Sequence, residues 1–245
     1  MQARLHWYAP TRRATAPILF PAGRLPPALP PRARASLDRV VAADPLLGRV
    51  EAGAGPLPWR TRPGGMPGLL QAVVAQQIGG PAAAAIWRRL RVLPGALTPQ
   101  GMLALPDEAL RGAGLSRPKV ACARALAEAF AQGRLHEVRL AAMADEEAIA
   151  AICTVRGLGR WTAEIYLLFA LGRPDVFPAG DLALSAAAAD LFGLPARPGP
   201  AAPREMAQRW RPGRALAARL LWHHWRHATG RPSMDDLDAG PDPAP

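Results

Sequence analysis

The stretch VRGLGRWTAEIYLLFALGRPDVFPAGDLAL, residues 155–184, decides how this chain is read. Gly157 and Gly159 bracket Leu158 between two segments of helical periodicity. Glycine permits the positive φ and close backbone approach that a tight turn needs. The second segment starts at about Arg160, so its first amides point outward as an anion site. Val155 and Leu158 would plug the turn into the protein, while Arg160 and Thr162 stand where phosphate contacts are expected. Twenty residues beyond Trp161 comes a single acid, Asp181, after Pro178-Ala179-Gly180 at the start of another helical segment. Taken alone, a Gly-x-Gly turn is as readily a helix end and the Asp a helix cap. The offset between them gives both a functional reading.

The full pattern, hydrophobic-x-Gly-hydrophobic-Gly-x-x-Thr-Ala, is a helix-hairpin-helix signature, an element that grips nucleic-acid backbone without reading sequence. The rest of the chain is compatible. Its 245 residues carry a formal charge of +11, which fits a polyanionic partner, although 29 arginines against one lysine also fit coding bias. Half the residues are apolar, enough for one sizeable core or two lobes. Two cysteines, Cys122 and Cys153, are too few for a disulfide framework, a four-cysteine zinc site or an iron–sulfur cluster. No apolar run approaches the ~20 residues of a membrane span, and no signal-peptide core is evident. A cytoplasmic bacterial protein is expected.

Residues 1–60 read as a proline-rich arm, with a short strand near Leu5–Tyr8 and one short helix over Ala35–Ala43 closed by Asp44-Pro45. Helical period then carries Leu69, Leu70, Val73, Val74 and Ile78, and a second helix runs from Ala82 to Leu90. Further helices are expected from Pro106, over 116–133, 145–153, 160–171, 181–192 and 212–228. The prediction is an all-α, two-lobed domain over 61–232 with about ten helices, followed by a frayed acidic tail, 233–245.

Five segments in this order carry a resemblance: GLLQAVVAQQI (68–78), GLSRPKV (114–120), GLGRWTA (157–163), GRPDVFPAGDLAL (172–184) and WRPGRALAARLLWHHW (210–225). They resemble the helix-hairpin-helix/Gly-Pro-Asp family of DNA glycosylases, and within it the 3-methyladenine glycosylase II type. The resemblance implies a helical body with DNA in a cleft between two lobes. It also implies base flipping, then release of alkylated purines such as 3-methyladenine and 7-methylguanine in base excision repair. The chain departs from the pattern at Gly79, where a serine is usual, and at Gly213, where an aromatic is usual. A tyrosine expected beside the base appears at Tyr166, one place off. The mixed α/β domain that precedes the match in other members is expected to be missing or reduced.

The resemblance assigns the chemistry to Asp181. Breaking an N-glycosidic bond builds oxocarbenium charge on the sugar, and a fixed anion beside it stabilises that charge. Asp175, six residues earlier, reads as a turn or capping residue. Members with strand-cutting activity place a lysine two residues after the second hairpin glycine, where it forms a Schiff base. Here that residue is Trp161, and the one lysine, Lys119, lies in a distant segment as a surface or structural group. A monofunctional enzyme using water is therefore expected.

Alkylated purines are cationic, and electron-rich rings select them by stacking and cation–π attraction. Trp222, Trp161 and Tyr166 are the candidate walls of the base pocket, with packing of a helix interface as the competing role. Gln76 and Gln77 lie at a turn where the family inserts a wedge into the duplex, Gln77 being the candidate. The resemblance also implies a monovalent cation, Na+ or K+, held at the hairpin by the carbonyls of Cys153, Val155 and Leu158. His223, His224 and His227 lack an evident acidic or cysteine partner, so surface or DNA-facing roles are expected and zinc is not. The expected partner is duplex DNA containing a damaged base, bound by a monomer. Two other readings stay open: a glycosylase for uracil, hypoxanthine or ethenoadenine, and a non-catalytic damage-binding protein of the same fold.

Overall fold

A computed structural model of the chain describes residues 29–233 and Asp235. The expected strand at residues 5–8 and the tail beyond Asp235 lie outside the described residues. Those described form thirteen α-helices and a short 3-10 turn, with no strand among them. The helices are α1 (Pro31–Ala43), α2 (Pro45–Ala54), α3 (Gly65–Ala75), α4 (Gly80–Arg91), α5 (Pro99–Ala104), α6 (Asp107–Gly112) and α7 (Arg117–Ala131). They continue with α8 (Glu137–Ala142), α9 (Asp145–Cys153), α10 (Arg160–Phe169), α11 (Leu182–Leu191), α12 (Ala201–Met206) and α13 (Arg214–Thr229). None is long and apolar enough to cross a membrane.

Two hydrophobic clusters make two lobes that share helices. The first gathers Leu69, Leu70 and Val73 of α3 with Leu126 of α7, Ile152 of α9 and Tyr166 of α10. The second gathers Leu37 and Val40 of α1, Leu47 and Val50 of α2, Leu184 of α11 and Leu220 and Leu221 of α13. Helix α10 feeds both. Ala163, Tyr166 and Leu167 face the first cluster, while Ile165, Leu168 and Phe169 face the second. Every residue from Thr162 to Phe169 is buried, the polar Thr162 and Glu164 included. Helix α10 therefore lies between the two clusters, with the hairpin at its N-terminal end.

The segment read as an arm differs in the structure. Asp44-Pro45 does not end the helical region. Asp44 closes α1, and Pro45 starts α2 at the first helical position, where its missing N–H costs nothing. Both helices pack on α13. Asp44 fixes the corner, accepting from Trp210 Nε1 at 3.1 Å and pairing with Arg209 at 3.0 Å. Gly213 is explained by the same packing: a Cβ there would meet Val40 Cγ2 at 2.7 Å, so α1 fills the space an aromatic would need. Gly68 likewise lets the preceding loop approach α3, because a Cβ would overlap the Pro63 carbonyl oxygen.

Candidate active site

Asp181 is the N-cap of α11, and its Oδ1 accepts from the amides of Ala183 and Leu184, both at 2.9 Å. The cap that a lone Asp before a helix would make is thus present. Two indoles complete the shell. Trp161 Nε1 donates to Asp181 Oδ2 at 2.8 Å, and Trp222 Nε1 donates to Oδ1 at 3.2 Å. Four donors from three helices fix the carboxylate in one orientation. It lines an open cavity of about 190 Å³ at the cleft.

Trp161 and Trp222 line this cavity with Asp181, as the sequence reading placed them. Tyr166 does not. Its side chain is buried in the first cluster, and its hydroxyl accepts from the Gly65 amide at 2.9 Å. The reason is helical phase. Residues four apart share a face, so the stripe that begins at Trp161 continues through Ile165 and Phe169, both cavity walls. Tyr166 lies about 100° further round. Phe169 packs on Trp222 with ring centroids 5.5 Å apart. That i, i+4, i+8 pattern was the signal that would have found Ile165 and Phe169.

The opposite wall is the loop between α2 and α3, which carries no periodic signal. Three bonds pin it. His223 Nε2 donates to the Gly55 carbonyl at 2.9 Å, Arg219 Nη1 to the Arg60 carbonyl at 2.8 Å, and the Arg62 amide to the Phe169 carbonyl at 2.9 Å. Leu57, Pro58, Arg60 and Arg62 thereby face the cavity. Arg219 is buried, lying over the Trp59 ring at 4.3 Å and the Phe169 ring at 4.5 Å. Burial pulls its pKa down to about 9, with Arg60 the next contributor in the same direction.

The hairpin seats as expected through Val155 and Leu158, both buried, with the Leu158 amide bonded to the Val155 carbonyl at 3.0 Å. Gly157 has φ +90°, and a Cβ would strike Cys122 Sγ at 2.8 Å and its Cβ at 2.9 Å. Gly159 is exposed, with nothing within 4 Å of a Cβ position. Ala163 makes the first intrahelical bond, to the Gly159 carbonyl. The amides before it have no intrahelical acceptor, as at any helix start.

Two side chains expected on phosphate are engaged elsewhere. Arg160 is bidentate on Glu146, at 2.9 and 2.6 Å, and bonds Glu164 at 2.8 Å. Thr162 is buried and accepts from Gln76 Nε2 at 2.9 Å. That bond also removes Gln76 from the wedge role, since its amide additionally reaches the Gly157 carbonyl at 3.2 Å. Gln76 ties the α3–α4 turn to the hairpin. Gln77 stays exposed at the rim with φ +57°, and Ile78 beside it lines the cavity.

Lys119 is structural, donating to the Val74 carbonyl at 2.7 Å near the end of α3. Asp175 forms a bidentate pair with the Arg214 guanidinium at 2.9 and 3.0 Å at the start of α13, and also accepts from the Arg214 amide at 3.4 Å. The histidines part from expectation. His223 is buried rather than surface-facing, and His224 does have an acidic partner, Asp190 at 2.7 Å. No metal-binding cluster of three or more His, Cys, Asp or Glu side chains occurs among the described residues.

This geometry has counterparts. Residues 70–212 match the model of the HhH-GPD superfamily of base excision DNA repair proteins, and the chain belongs to that superfamily. It is 32% identical over 158 residues to DNA-3-methyladenine glycosylase 1 of Schizosaccharomyces pombe, spanning 63% of this chain and 69% of that protein. A solved structure of the 3-methyladenine DNA glycosylase from the same yeast, bound to abasic DNA, superposes with a TM-score of 0.72. It is 27% identical, covering 78% of this chain and 95% of that one. The DNA-3-methyladenine glycosidase of Bacillus halodurans gives a TM-score of 0.67 at 30% identity, over 82% and 94% of the two chains.

Proposed function

We propose that the chain is a monofunctional DNA glycosylase that releases alkylated purines, 3-methyladenine and 7-methylguanine, from duplex DNA in base excision repair. The observation that carries this is the Asp181 carboxylate, oriented by two indole N–H groups and two helix amides inside the interlobe cavity. The relatives named above act on 3-methyladenine, and one was solved on abasic DNA.

The chain's residues divide the work. The amides opening α10 take a backbone phosphate, and Gln77 fills the gap left by the flipped nucleotide. The base enters the cavity against Trp161 and Trp222. The N-glycosidic bond breaks with its electron pair leaving on the base, so a cationic alkylated purine departs neutral. Positive charge then develops on the sugar beside Asp181, where an anion fixed in advance costs no reorganisation. Water bonds to C1′ and gives up its proton, leaving an abasic site. No amine stands at Trp161 to capture the sugar, so strand cleavage is not part of the reaction. The carbonyls of Cys153, Val155 and Leu158 belong to one turn at the hairpin, and they would hold a hard monovalent cation, Na+ or K+, that helps bind the phosphate. The work is on chromosomal DNA in the cytoplasm, by a monomer.

The test is Asp181→Asn, which keeps size and shape and removes the charge. Base release from methylated duplex, revealed by alkali as strand breaks, should fall about 10²–10³-fold. Unchanged release would remove Asp181 from the chemistry. Breaks without alkali would contradict the monofunctional reading.

A further inference from the structure

The turn between α3 and α4 meets the hairpin before α10 across 81 positions of the chain, and one side chain joins them. The Gln76 side-chain amide donates to Thr162 Oγ1 at 2.9 Å and to the Gly157 carbonyl at 3.2 Å. Both acceptors are themselves held. Thr162 is 1% exposed on the first turn of α10. The peptide that carries the Gly157 carbonyl is fixed from its other side, where the Leu158 amide bonds the Val155 carbonyl at 3.0 Å. The end of α3 is equally constrained. Lys119 donates to the Val74 carbonyl at 2.7 Å, and the Gln76 backbone amide bonds the Val73 carbonyl at 3.2 Å.

Gln77 follows with φ +57°, the one described residue other than glycine with positive φ. A side chain stays in that region only where its surroundings impose it. Here Gln76 fixes the backbone on one side, and the hairpin fixes Gln76. The exposed Gln77 side chain thus leaves the molecule from a point set by its neighbour's two bonds. Gln76 itself does not line the cavity, so any effect it has on the reaction passes through another residue. Extruding a base is hardest where its pairing is intact. A wedge helps there only if it stands at the gap when the backbone is gripped.

We propose that Gln76 is a positioning residue whose two hydrogen bonds join the hairpin's hold on phosphate to the Gln77 wedge. Gripping the backbone and opening the base pair then become one event. The proposal rests on the glycosylase reading above. It concerns the step before bond cleavage, and it predicts a dependence on how firmly the damaged base is paired.

The experiment measures single-turnover release of 7-methylguanine from two duplexes, one with cytosine opposite the lesion and one with an abasic analogue there. Gln76→Met keeps the length of the side chain and removes both donors. Release from the paired duplex should fall about tenfold, as expected for two neutral hydrogen bonds. Release from the unpaired one should stay within about twofold of wild type. Thr162→Val removes one acceptor from the other side and should give a smaller loss of the same kind, which keeps the test open if Gln76→Met does not fold. The decisive comparison is made in a Gln77→Ala background. There Gln76→Met should cost no more than about twofold further, because its effect passes through the residue already lost. Losses that multiply in the double variant overturn the proposal, as does Gln76→Met at the wild-type rate. An equal loss on both duplexes makes Gln76 a folding contact and overturns it too. Gln77→Ala at the wild-type rate removes the wedge, and the proposal with it. A wild-type protein that releases no alkylated base from either duplex sinks the glycosylase reading itself, which is distinct from an active enzyme indifferent to Gln76.

Discussion

The two oxygens of Asp181 are held unequally. Oδ1 takes both helix amides and Trp222, while Oδ2 takes Trp161 alone among the bonds described. Trp161→Phe keeps a ring in the cavity and removes the one bond that stops Oδ2 from swinging. A hydrogen bond to a charged group is worth about 1.5–3 kcal/mol, so single-turnover base release should fall about tenfold or more. Trp222→Phe should cost less, because two amides still hold Oδ1. Equal rates in the two variants would show that indole donation does not orient the acid. At this scale Asp181 was legible from its offset to the hairpin, and Trp161 and Trp222 from their motifs. Tyr166 was misread because residue type was given more weight than helical phase. Asp235, which also lines the cavity, had no signal at all: its partners, Arg62 and Gln71, are more than 160 residues away in the chain.

Between α9 and α10 the two hairpin glycines do different jobs. Gly157 has positive φ and abuts Cys122, whereas Gly159 has φ −105° and open space around it. Gly157→Ala therefore combines backbone strain with a clash against a buried side chain, about 2–3 kcal/mol together. The melting temperature should drop by about 5–10 °C. Gly159→Ala should melt like wild type yet bind duplex DNA more weakly, because a methyl group stands over the amides that face phosphate. Titrations in which both variants bind normally would remove the hairpin from the interface. The same element shows what the sequence pattern carries. Long helices such as α7 and α13 repeat their apolar face enough times to be seen. Helices α5, α8 and α12 have six residues each and too few turns to show a period. Helix α2 was hidden because a proline at a first helical position reads equally as a stop.

Across the whole molecule the α2–α3 loop is tied to α10 and α13 where it lines the cavity, and His223 makes one of those bonds. Burial pushes His223 down to about 4, from an ordinary value near 6.5. Between those pH values the unfolded chain binds a proton that the native one refuses. Stability from this residue is present above pH 6.5 and is lost as pH falls toward 4, by about 3 kcal/mol at most. Glu164, beneath the hairpin, acts in the opposite sense. Burial raises it to about 7 against the pull of Arg160, so the native chain keeps a proton that the unfolded one releases near 4.5. Its contribution is lost as pH rises toward 7. The two oppose each other from about pH 4.5 to 6.5, which should leave the wild-type stability curve shallow there. His223→Gln keeps a donor for the Gly55 carbonyl but does not titrate. Urea melts at pH 4, 5.5 and 7 should then show the variant gaining on wild type by about 2–3 kcal/mol toward the acid end. Glu164→Gln should tilt the curve the other way, gaining on wild type as pH rises. If His223→Gln and wild type run parallel across the series, the buried imidazole is not the acid-sensitive pin of the pocket loop.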